Sequence, residues 1–171
     1  MMRGLPPNIE VGDIVLDIRQ LGTNDSRAIE RHLLALARLD RQARFLGILS
    51  DERISAYARR LDPLSMVLIG AFDPNARMVG LAEAVPTDAG RKVEIAVSID
   101  PAFRRRGLGR RLVARALTAA FARGAQLAEF TFAPGNRPVI SMVQALGGRF
   151  GPKLGDASID CCADRGVRKA A

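Results

Sequence analysis

A chain of 171 residues is long enough for one domain with a substantial core, and its 48% hydrophobic content excludes wholesale disorder. The formal charge of +8, carried mainly by arginine, fits an anionic partner or, for arginines outside the loop described below, a GC-rich genome that writes basic residues as arginine; with no tryptophan and a single tyrosine, Tyr57, there is little material for stacking nucleic-acid bases. No apolar run approaches the roughly 20 residues of a membrane span, Met1 to Glu10 lacks the apolar core of a secretory signal, and a cytosolic (cytoplasmic) setting is expected.

Residues 1 to 12 read as an irregular lead-in. Asp13 to Gln20 roughly alternates apolar and polar residues, as a half-buried strand does. Asn24 or Asp25 then offers a cap for a helix running to about Leu39, with Ile29, Leu33, Leu36 and Ala37 on one face. Ser50 caps a second helix that ends near Arg60, before Pro63. Ser65 to Phe72 is nearly all apolar and predicts a strand covered on both faces. Asp73-Pro74-Asn75 is turn chemistry, and Met78 to Val85 is the returning strand. Arg91 to Asp100 places Val93, Ile95, Val97 and Ile99 at every second position, the clearest strand in the chain.

Pro101 stops that strand, and a helix follows from about Leu108 to Arg123, ended by Gly124. Leu127 to Phe132 is a further strand. Asn136 and Pro138 open a helix that stops at Gly147-Gly148, and a last strand is expected near Ala157 to Cys161. Residues 163–171 carry no core signal and read as a frayed tail. The only histidine, His32, lies in a charge-rich helix and is expected at the surface. Cys161 and Cys162 are neighbours without zinc-site spacing, so no metal is expected. The pattern as a whole predicts a single α/β domain with a mixed sheet, spanning 1–171.

The segment between the clearest strand and the next helix reads Pro101-Ala102-Phe103-Arg104-Arg105-Arg106-Gly107-Leu108-Gly109-Arg110. The first turn of a helix has unpaired backbone N–H groups and the positive end of the helix dipole, and so attracts phosphate. Gly107 and Gly109 let the backbone approach an anion closely, and four arginines surround it. The spacing fits neither the dinucleotide fingerprint nor the P-loop.

This arrangement resembles the GNAT superfamily of N-acetyltransferases, whose signature is Arg/Gln-x-x-Gly-x-Gly/Ala after a long strand and at the start of a helix. Here it stands as Arg104-Arg105-Arg106-Gly107-Leu108-Gly109. Val93 to Pro101 before it and Asn136 to Phe150 after it are also similar to the family's strand and later helix, and the resemblance covers roughly Val67 to Phe150. It implies a GNAT-like α/β domain: a mixed, mostly antiparallel sheet with a V-shaped split, flanked by helices. It further implies acetyl-CoA as co-substrate, no metal, and an amine acceptor, either a small molecule or a protein lysine; dimers are common among such proteins.

By motif position the resemblance gives the backbone of Val97 and Ile99 to the pantetheine arm. It gives the backbone amides of Arg104, Arg105, Arg106, Gly107, Leu108, Gly109 and Arg110 to the pyrophosphate, and the Asn136 side chain to the pantetheine. An ordinary helix cap at Asn136 would look the same in sequence. Glu94, in Glu94-Ile95-Ala96-Val97, resembles the family's catalytic base, with Glu83 as runner-up. The tyrosine that protonates the departing thiolate in many members is Val143 here, with Ser141 a weak substitute. Ala43 to Ser50 resembles the branch that acetylates protein lysines. Two other readings stand beside the acetyltransferase: a catalytically weak module that senses acyl-CoA, and a basic nucleic-acid-binding protein, which no motif supports.

Overall fold

The computed structural model describes residues 8–11 and 14–161. The expected tail at 163–171, Cys162 and most of the expected lead-in lie outside these residues. Among the described residues, eight strands form one sheet: β1 (Asn8–Val11), β2 (Ile14–Gln20), β3 (Val67–Phe72), β4 (Met78–Thr87), β5 (Lys92–Ile99), β6 (Leu127–Thr131), β7 (Arg149–Phe150) and β8 (Asp156–Asp160). The spatial order is β1-β2-β3-β4-β5-β6-β8-β7, and every neighbouring pair is antiparallel except β5 and β6. Five α-helices cover the sheet: α1 (Ser26–Ala35), α2 (Arg38–Phe45), α3 (Asp51–Arg60), α4 (Leu108–Ala122) and α5 (Arg137–Ala145). None of the described helices is long and apolar enough to cross a membrane.

Alternation along the strands sorts the core into two layers. On one face Val67, Ile69, Ala82, Ala84, Val93 and Ile95 pack beneath α4 and α5, whose Leu108, Leu112, Val113, Leu117, Met142 and Val143 are buried with them. On the other face Leu68, Leu81 and Met78 meet Ile29, Leu33 and Leu36 at the α1 end of the chain, and Ile54 and Ala58 of α3. Every residue of β3 is buried, as its unbroken apolar run predicts.

Three elements differ from the sequence expectation. Asn8–Val11, inside the expected lead-in, pairs with β2 as a strand. The expected single helix up to Leu39 is two helices, because Leu36 and Ala37 take extended backbone (ψ 135° and 156°). Neither residue is a helix breaker. The interruption is stabilised by a side chain of the next helix: the Arg41 guanidinium donates to the carbonyls of Leu34 and Leu36, which a continuing helix would have used. β7 is only two residues long, too short to leave a periodic signal.

Candidate active site

Strand β5 is paired with β4 along its whole length, from Lys92↔Thr87 to Ile99↔Gly80. Its pairing with β6 ends at Ile95↔Phe130, so from Ala96 to Ile99 β5 has a neighbour on one side only. The chain leaves β6 here through Ala133-Pro134-Gly135, where Pro134 cannot donate to a ladder. Backbone groups of successive strand residues alternate sides. The N–H of Asp100 donates to Val79 on β4 (2.9 Å), whereas the carbonyl of Arg91 faces β6 and accepts from Gln126 (2.7 Å). By this alternation the backbone groups of Val97 and Ile99 face the open side.

At the end of this edge Asp100 accepts from the Ala102 N–H (2.9 Å) and starts one 3-10 turn, Pro101–Phe103, anchored by the buried Phe103. Arg105 (φ 58°) and Gly107 (φ 77°) then take left-handed backbone around Arg106. Such alternation makes a concave run of N–H groups suited to an anion. No side chain caps the α4 N-terminus that follows, which leaves its first-turn amides available. Arg105, Arg106 and Arg110 are exposed around it. The Arg104 side chain is committed elsewhere: its Nε donates to the Ile99 carbonyl (2.9 Å), and its guanidinium pairs with Asp40 of α2 (2.8 Å). Across the split, the Asn136 side-chain oxygen Oδ1 accepts from the Val139 N–H (3.4 Å) and caps α5.

Register places Glu94, Ala96 and Ser98 of β5 on the same face as Val85, Glu83 and Leu81 of β4, beneath α1 to α3. The β4–β5 pairing runs without a bulge. Glu94 is exposed, and among the described residues its carboxylate has no ion-pair partner. Its neighbour across the strands, Glu129, pairs with Lys92 (3.1 Å). Glu83 is unsuited to be a base because both its oxygens are occupied: Arg44 donates to Oε1 (2.6 Å) and the Tyr57 hydroxyl donates to Oε2. This cluster is buried, with side-chain exposures of 8% for Arg44 and 1% for Glu83. Burial opposes the Arg44 charge, but the carboxylate beside it holds the guanidinium above its ordinary value; burial, then the carboxylate, push the Tyr57 phenol up.

His32 is not at the surface. It is 5% exposed, between α1 and the sheet, and lies three residues after Ile29 on the buried stripe of α1, a position that the periodicity could have flagged. Its Nδ1 lies 3.2 Å from the Met78 carbonyl and its Nε2 2.9 Å from the Ser98 hydroxyl. A carbonyl only accepts, so Nδ1 carries the proton and Nε2 accepts from Ser98. Burial lowers the imidazole from its ordinary value of 6.5. The unfolded chain therefore takes up a proton near pH 6.5 and the folded chain only at lower pH. Stability from this site is complete above about pH 6.5 and falls below it, by at most about 1.4 kcal/mol per pH unit. Urea midpoints at pH 7.5 and 5.5 check this, and His32→Gln should flatten the difference.

Val143, at the position of the family's tyrosine, has 0% exposure in the core, while Ser141 is exposed. Among the described residues, no group of three or more His, Cys, Asp or Glu could hold a metal ion.

Residues 27–147 match the Acetyltransferase (GNAT) family. The chain belongs to the GNAT acetyltransferase family. Solved structures agree in fold with this acetyltransferase. The GNAT domain of S. lividans PAT superposes with a TM-score of 0.71 at 16% identity, covering 85% of this chain and 90% of that one. Spermidine N-acetyltransferase from Vibrio cholerae, solved in complex with CoA and spermine, gives 0.64 at 18% identity over 85% and 95%. The structure of yncA from Salmonella typhimurium with its cofactor acetyl-CoA gives 0.62 at 20% identity over 85% and 93%. No curated protein matches the acetyltransferase in sequence.

Proposed function

We propose that this acetyltransferase moves the acetyl group of acetyl-CoA to a primary amine by direct attack. The observation that carries the reading is the unpaired stretch of β5 ending in an uncapped helix. A pantetheine arm is an extended chain of amides and fits such an edge as a missing strand would, at Val97 and Ile99. A pyrophosphate suits the amides from Arg104 to Arg110, with charge from the Arg105, Arg106 and Arg110 side chains. Arg104 contributes backbone there, its guanidinium being held by Ile99 and Asp40. Asn136 caps α5 through its oxygen, which leaves its NH₂ to donate to a pantetheine carbonyl.

In the reaction the neutral amine nitrogen bonds to the thioester carbonyl carbon, the carbon–sulfur bond then breaks, and one amine proton passes to Glu94, directly or through water. The thiolate leaves without a side-chain acid at position 143, or with water in that role. That gap favours, as second reading, a catalytically weak module that binds acyl-CoA. The acceptor is a protein lysine or a small amine, and the setting is cytosolic.

Acetyl-CoA at a hundred times its Kd should stabilise the fold by about 2.7 kcal/mol, seen as a raised thermal midpoint. Gly107→Val should abolish the shift, since a β-branched residue is strained at φ 77° and puts a side chain in the cradle. No shift in the wild-type chain would sink the cofactor reading; release of free CoA on adding amines separates the enzyme from the sensor.

A further inference from the structure

A cavity of about 240 Å³ lies at the far end of α4 from the basic loop. α4 has 15 residues and is therefore about 22 Å long, so this cavity and the proposed pyrophosphate cradle are separate places. Its floor is Val67 of β3, Ala84 of β4, Val93 of β5 and Ala120 of α4, all buried. Folded interiors leave few voids larger than a water molecule. This one exists because Ala84, Ala120 and Ala125 meet where larger side chains would close the gap between helix and sheet. Its rim is made by exposed residues, Ser65, Pro86, Gly90 and Arg123, so it opens to solvent.

Size narrows the occupant. An apolar cavity of about 150 Å³ holds a benzene ring, and in proportion this one takes about nine non-hydrogen atoms. A nucleotide or a CoA is far too large for it. The floor is apolar, so most of the occupant is hydrocarbon. Charge at the rim selects its polar end. The Arg123 Nη1 donates to the Met66 carbonyl (3.0 Å), which fixes the guanidinium at the mouth. Among the described residues Arg123 has no ion-pair partner. The acids nearest in the chain to the rim are engaged: Asp88 pairs with Arg91 (2.9 Å), and Asp62 Oδ1 accepts from the Leu64 N–H (3.0 Å). The Ala119, Ala120 and Phe121 carbonyls at the end of α4 accept from the amides of Arg123, Gly124 and Ala125. An anion at the mouth therefore meets a fixed guanidinium with donors to spare.

We propose that this cavity binds a small hydrophobic monocarboxylate of about six to eight carbons, its tail on the alanine-rich floor and its carboxylate on Arg123. The site is independent of acetyl transfer, and no bond is made or broken in it.

Hexanoate is the probe, titrated calorimetrically into the full chain. One saturable site with a Kd of about 1 mM is expected, the scale for a ligand of this size. Acetate and 1-hexanol, which carry only the charge or only the tail, should bind at least about tenfold more weakly. Arg123→Gln should weaken hexanoate at least about tenfold, and Arg123→Lys by less than about threefold. Ala120→Leu, which fills the cavity, should abolish binding. Arg123 is exposed, so its variants decide the matter even where Ala120→Leu folds poorly. Saturating acetyl-CoA should leave the hexanoate Kd within about twofold. The proposal is overturned by the absence of saturable binding, by 1-hexanol binding as tightly as hexanoate, or by equal affinity in Arg123→Gln. Displacement by acetyl-CoA would also overturn it, since the acid would then sit in the cofactor channel.

Discussion

Replacing Glu94 by glutamine is expected to slow CoA release to an amine acceptor by about 10²- to 10⁴-fold, the range for loss of a positioned general base. Glutamine keeps the shape and the hydrogen-bonding reach of the side chain but takes no proton. The position suits such a substitution, because Glu94 is exposed and has no ion pair to break among the described residues. The thermal midpoint and the affinity for acetyl-CoA should therefore stay as they were. The measurement is initial-rate release of free thiol across a panel of amines, for both chains at equal concentration. Equal rates would remove Glu94 from the proton-accepting role and leave water as the acceptor. Glu83 cannot take over, since Arg44 and Tyr57 hold both its oxygens.

Replacing Arg44 by alanine is expected to cost about 3–5 kcal/mol of stability, because it strands a buried carboxylate. For a domain of this length that is roughly 6–20 °C in the thermal midpoint, at about 2–4 °C per kcal/mol. Glu83 is 1% exposed, so its carboxylate depends on Arg44 and Tyr57 for its hydrogen bonds. The double change Arg44→Met with Glu83→Leu should recover much of the loss, since two apolar side chains of similar volume often replace a buried ion pair without penalty. Urea unfolding of Arg44→Met, Glu83→Leu and the double variant gives the coupling directly. A double variant as unstable as the sum of the singles would mean that the pair is not a unit.

The fold was legible where a single element carries its own period. Val93, Ile95, Val97 and Ile99 announce β5, and the stripe from Leu108 to Ala120 announces α4, so the strand–loop–helix unit could be placed from sequence. Gly107 was readable for the same local reason, and the structure gives it a left-handed φ. What escaped was set by side-chain contacts that leave no period in the sequence. Arg44, Tyr57 and Glu83 are brought together across 39 and 26 residues, and nothing near any of them marks the meeting. Leu36 and Ala37 break a run of good helix formers because Arg41 folds back onto it. His32 was misread because its charged neighbours outweighed its place on the apolar stripe. Arg104 shows a subtler limit: its position in the motif was readable, but the direction of its side chain depends on Asp40, 64 residues earlier in the sequence.

The gap between β5 and β6 has one more effect, on solubility. An unpaired strand edge is a template on which another chain can build, and this one lies in the interior of an eight-strand sheet rather than at its rim. A ligand that pairs with this edge leaves no template for a second chain. Acetyl-CoA seated there as proposed is expected to slow self-association of the chain, which light scattering with and without the co-substrate would read.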